Sequence, residues 1–170
     1  MTLAEAPPLK KTQRYKMTIS LNVLNRLGID LYSNVPAVPS EVVAHAWDAD
    51  AHEVTIDIDQ VKDQIIVKDD GIGMTETDIN ERYLIVGYQK RIEMPGTTPE
   101  GREPMGRKGI GKLSVCSIAK TIEVYSTKNG ERNAFRMNSY DIQRAIEDPE
   151  EDDDYFPDEL DPNLVDFERA

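Results

Sequence analysis

Three short stretches of this sequence place glycines and ionisable side chains where they could do chemistry. In GRKGIGK, Gly106, Gly109 and Gly111 free backbone N–H groups to point at an anion, and Arg107, Lys108 and Lys112 add positive charge. A phosphate is the anion such a cradle suits. The stretch also matches G-x-x-x-x-G-K, but Leu113 stands where a P-loop needs Ser or Thr. The preceding Arg102, Glu103 and Pro104 do not form the buried strand that a P-loop follows. In VKDDGIGMT, Asp69 ends a strand that reads as buried, and Gly71 and Gly73 permit a tight turn with close backbone approach. A carboxylate there can accept a hydrogen bond from an exocyclic amine, which selects adenine over guanine. A plain turn after a strand reads equally well from these residues alone. In SEVVAHAWDADA, Glu41, His45 and Asp48 fall at i, i+4 and i+7 and share one helix face. Two readings stay open for that stripe: a water-facing polar face or a functional one.

The elements that position these residues follow from pattern. Met17, Leu21, Leu24 and Leu27 predict a helix over 17–27, with Gly28 as its cap. A helix over about 38–49 carries Glu41, with Pro39 in its first turn and Trp47 expected in the core. Strands are expected at 54–58 and 64–68, with a turn at 60–63. Thr75 and Asp78 predict a capping box opening a helix over about 76–86. Residues 92–111, with three prolines and five glycines, read as a long mobile loop. A short helix over 112–120 and strands at 121–126 and 133–137 follow, joined by an Asn129-Gly130 hairpin turn. A further helix starts near Ser139. Short strand–turn–strand units argue for an α+β fold, a two-layer sandwich with helices on one face of a mixed, mostly antiparallel sheet.

Composition bounds the class. The chain has 170 residues, 39% hydrophobic and 31% charged, and a formal net charge of −12. Residues 147–170 hold 12 acidic side chains and one basic; the other 146 residues are nearly neutral. Residues 1–16 therefore read as a flexible arm, 17–146 as the domain, and 147–170 as an acidic, mostly disordered tail or linker leading to domains beyond this chain. No apolar run suffices for a membrane span. The first residues lack a secretion signal, and Cys116 is the sole cysteine, so no intrachain disulfide forms; a cytoplasmic location fits. Cys116 reads as packing and His52 as a surface residue.

Taken together and in this order, ExVAxAWDA, DxGIGM and GxxGxGK resemble the GHKL superfamily of gyrase, heat-shock chaperone, histidine kinase and MutL ATPases, nearest its MORC-like or MutL-like branch. The likeness covers about residues 21–126. It implies a Bergerat-type ATP-binding fold, with ATP and Mg²⁺ as cofactors. By the same likeness, Glu41 is the general base and Asp69 reads adenine. Gly71, Gly73 and Met74 line the base pocket, and Lys90 contacts phosphate. Gly106, Arg107, Lys108, Gly109, Ile110, Gly111 and Lys112 belong to a lid over about 92–111. His45 stands where the family places a Mg²⁺-holding Asn; a ring nitrogen is a softer donor than that ion prefers. Slow hydrolysis, lid closure, a nucleotide-dependent homodimer and an effector domain of unknown kind, through which nucleic acid could be bound, complete the expectation. A non-catalytic nucleotide-sensing or partner-docking module is the alternative.

Overall fold

The computed structural model describes residues 14–19, 37–86, 96–105, 111–147 and 154–163. Its elements, in chain order, are β1 (Met17–Ile19), α1 (Ala37–Asp48), β2 (Val54–Asp59), β3 (Gln64–Asp69) and α2 (Glu76–Asp78), which runs into a π-helical turn (Ile79–Tyr83). Then come β4 (Ile85–Val86), a 3₁₀ segment (Gly111–Ser117), β5 (Thr121–Lys128), β6 (Glu131–Asn138), α3 (Ser139–Glu147), β7 (Asp154–Tyr155) and β8 (Asp158–Glu159). The fold is α+β. Among the described residues the strands form three sheets, ordered β4-β1-β7, β2-β3 and β5-β6-β8, and the β1–β4 pair alone is parallel.

The core gathers around β6. Phe135 and Met137 alternate inward on that strand and meet Tyr15, Met17, Ile79, Leu84, Val86, Leu113 and Ile142. The Phe135 ring lies 5.1 Å from Tyr15 and 5.9 Å edge-on from Tyr83. β5 and β6 pair in full register from Thr121↔Asn138 to Lys128↔Glu131, across the expected Asn129-Gly130 turn. Both turn residues have positive φ, 53° and 82°, as a type I′ hairpin requires. The capping box is present: Thr75 Oγ1 accepts from the Asp78 amide, and the Asp78 carboxylate accepts from the Thr75 amide.

Four expectations change. Residues 17–19 form a strand, not the start of a helix, because Tyr15 and Met17 bury while Lys16 and Thr18 face out, a two-residue period; the rest of the expected helix and its Gly28 cap lie outside the described residues. The end of the N-terminal arm is thus core. The helix over 76–86 stops early, its last turn widening to a π-turn before β4. The helix expected over 112–120 is a seven-residue 3₁₀ segment. Within the acidic stretch, residues 154–163 are tied in: β7 pairs with β1, β8 pairs with β6, and Tyr155 Oη accepts from the Asn138 amide at 2.9 Å. Among the described residues no helix is long and apolar enough to cross a membrane.

Candidate functional site

The C-terminal end of α1 is the hub of the site. The helix closes on Ala49, Asp50 and Ala51, whose amides bond back to the carbonyls of His45, Ala46 and Trp47. Asp50 takes a left-handed φ of 58°. The Ala49 carbonyl then accepts the Ile72 amide at 2.8 Å, so α1 holds the turn that follows β3. Gly71 is required there: a Cβ would lie 2.8 Å from both the Ala49 side chain and its carbonyl. Gly73 is required twice over, by its φ of +66° and by the Thr127 carbonyl of β5 on its other side. Two glycines therefore let the turn fit between α1 and β5.

Asp69 sits at the end of β3, exposed, with Oδ1 accepting the Gly71 amide at 3.0 Å. That bond fixes the carboxylate relative to the turn. Its neighbour Asp70 ties the turn to the backbone before β2. Its Oδ1 accepts the His52 and Glu53 amides at 2.7 and 2.9 Å, and those two amides, Glu53 foremost, hold its carboxyl below the usual carboxylate range. Met74 follows, half-buried against the core. Asp69, Gly71, Gly73 and Met74 are thus brought together as one unit.

Glu41 and His45 lie one turn apart on α1, Glu41 half-buried and His45 exposed. At ~1.5 Å of rise per residue, Glu41 stands about 12 Å along the axis from the Ala49 corner. A ligand spanning from Asp69 to Glu41 would lie along this helix. α1 also packs against the 3₁₀ segment, whose Leu113 is buried, which brings the chain just after GRKGIGK beside the Glu41 helix. Lys90 and residues 106–110, Gly106, Arg107, Lys108, Gly109 and Ile110, lie outside the described residues, as does the Lys112 side chain; Gly111 opens the 3₁₀ segment.

The attachment of residues 96–105 has no counterpart in the expectations from sequence pattern. Trp47, expected in the core, is at the surface: its indole N–H donates to the Glu103 carbonyl at 3.0 Å, and the Arg102 guanidinium lies 4.8 Å over its ring. Asp48 accepts the Met105 amide at 2.7 Å. Buried Asp50 accepts the Glu100 amide at 3.2 Å, and Arg102 Nε lies 3.8 Å from its other oxygen. Arg102 Nη1 also donates to the Ala51 carbonyl at 2.6 Å, and Nη2 to Glu100 at 3.2 Å. This part of the expected mobile loop is therefore a strap docked on the α1 corner. The short Trp-Asp-Ala-Asp run was the available signal, since a large ring and two carboxylates at a helix end need partners. Cys116 packs against the core, and burial pushes its thiol up to about 11, so it has little thiolate at neutral pH.

Among the described residues no three His, Cys, Asp or Glu side chains group to hold a metal. An imidazole at position 45 is a softer donor than magnesium prefers, since that ion takes oxygen ligands and keeps several of its waters.

Residues 32–163 match the family described as histidine kinase-, DNA gyrase B- and HSP90-like ATPase. The chain is 48% identical over 132 residues to a putative type II restriction enzyme, HgiDII, of Herpetosiphon aurantiacus, covering 78% of this chain and 21% of that protein. It is 31% identical over 105 residues to the chaperone protein HtpG of Orientia tsutsugamushi, covering 59% and 17%. With HtpG of Anaplasma marginale the identity is 27% over 139 residues, covering 69% and 22%. The chain spans about a fifth of the length of these relatives.

Proposed function

The chain belongs to the histidine kinase-, DNA gyrase B- and HSP90-like ATPase family, and on that premise we propose that it binds ATP along α1 and hydrolyses it slowly. The observation that carries this reading is the turn of Asp69, Gly71 and Gly73, seated on the Ala49 corner of the helix that bears Glu41. In this reading the Asp69 carboxylate accepts the adenine amine. Glu41 accepts a proton from the attacking water, and Lys90 and residues 106–112 contact the phosphates. Magnesium enters bound to the phosphates of the nucleotide rather than held by a side-chain cluster. Closure of a lid within 92–111 and pairing of two copies follow ATP binding and are reset by hydrolysis.

The chain then serves as the nucleotide switch of a larger cytoplasmic protein, on the MORC-like or MutL-like branch. A relative that is a putative restriction enzyme supports nucleic acid as the target of the effector. The test is Glu41→Gln. Calorimetry should show ATP binding retained while phosphate release falls ~10²–10⁴-fold; turnover at the wild-type rate would remove Glu41 from catalysis.

A second reading, a nucleotide-sensing module without turnover, is favoured by His45, which stands where the family resemblance implies a magnesium-holding Asn. His45→Asn separates the two. A gain in Mg²⁺-dependent binding or turnover shows that position 45 faces the metal, and no hydrolysis in either form supports the module.

A further inference from the structure

Met74, the last residue of the turn that carries Asp69, is held through both of its backbone polar groups by one pair of side chains. Its amide donates to Ser126 Oγ at 2.8 Å. Its carbonyl accepts from Asn133 Nδ2 at 3.3 Å. Ser126 and Asn133 are directly opposite each other on β5 and β6, so their side chains leave the same face of the hairpin. Asn133 is 1% exposed, and its amide is fully used. Oδ1 accepts from Arg14 Nη2 at 3.0 Å and from Tyr15 Oη at 3.3 Å, while Nδ2 also donates to Glu131 at 2.8 Å. A flipped amide would lose the Arg14, Met74 and Glu131 bonds, whose partners can only donate or only accept, so its orientation is set. The Thr127 carbonyl beside Gly73 completes the contact between turn and hairpin.

We propose that Ser126 and Asn133 are positioning residues for base recognition: a cross-strand clamp that fixes the Met74 peptide, and through Gly73 the angle at which Asp69 meets the adenine. The proposal rests on the ATP-binding reading. The clamp ties the base pocket to the rigid β5–β6 hairpin on one side, as Ala49 ties it to α1 on the other. It also places Arg14 and Tyr15 in the same hydrogen-bond network, so the segment before β1 supports the pocket from behind.

The experiment compares Ser126→Ala with Ser126→Thr, which keeps a hydroxyl. In Ser126→Ala the Met74 amide should exchange with deuterium at least about tenfold faster, and ATP affinity should fall about 3- to 10-fold. Preference for ATP over GTP should shrink in step. Ser126→Thr should restore all three, which a loss of packing alone would not produce. Met74 exchange unchanged in Ser126→Ala overturns the clamp, and so does affinity that falls without faster exchange. Exchange is read without nucleotide, so a wild-type chain that bound no ATP would refute the functional reading and leave the clamp to be judged on exchange alone.

Discussion

The two long hairpins of this molecule are built alike and situated oppositely. β5–β6 and β2–β3 are both antiparallel and fully in register, joined by turns that use a residue of positive φ. One face of β6 is the centre of the core, with Phe135 at 0% exposure. In β2–β3, the register puts Val54, Ile56 and Ile58 on one face with Ile65, Val67 and Asp69, and Ile58 remains 66% exposed. A two-stranded ribbon without a covered face is marginal by itself. Asp69 therefore stands on the weaker hairpin and owes its position to its attachments: the Ala49 carbonyl, the Asp70 carboxylate on the His52 and Glu53 amides, and the Met74 clamp. Rigidity at Asp69 is borrowed from those neighbours.

Breaking the strong partner should have the largest effect. Phe135→Ala empties the site where three aromatic rings meet and should cost ~3–5 kcal/mol in denaturant unfolding; a loss under 1 kcal/mol would show that the core lies elsewhere. On the weak hairpin the corresponding test is chemical. Asp69→Asn should leave the unfolding midpoint nearly unchanged while ATP affinity falls about tenfold or more, near 1.5–3 kcal/mol for a hydrogen bond to a charged group.

Acid titration probes the anchor between α2 and the far end of β5. Burial alone would raise the Asp78 carboxyl, but the Lys128 ammonium at 2.8 Å and the Thr75 amide and hydroxyl hold it down to about 2. A depressed carboxyl adds stability that is complete above about pH 4 and is lost as the pH falls toward 2. That contribution is at most about 2 kcal/mol, and Asp78→Asn should flatten the profile in that window. Smallest of all, Ile58→Thr should change stability by less than ~0.5 kcal/mol. A larger loss would mean that something covers that face in solution.

Where local pattern and tertiary demand agree, the sequence is readable. Both hairpins, the Asn129-Gly130 turn, the Thr75–Asp78 box and the need for glycine at positions 71 and 73 all follow from alternation, turn chemistry and steric limits. Met17 misleads because it fits a helical series with Leu21, Leu24 and Leu27 as well as a strand with Tyr15. β7 and β8 are two-residue strands in acidic sequence, specified by partners on β1 and β6 rather than by their own residues. Trp47 reads as core by its type, yet its cover is Arg102, more than 50 residues on, a pairing no local window contains.

That strap has a thermodynamic consequence. Fixing a residue's backbone costs ~1–2 kcal/mol of conformational entropy. For residues 96–105 that cost is incurred when the chain folds, because Arg102, Glu103 and Met105 already rest on the α1 corner. Nucleotide binding need not order them again. Trypsin should accordingly cut slowly after Arg102 even without ligand, since its side chain is only 16% exposed, and the heat of binding should carry no signature of folding from this stretch.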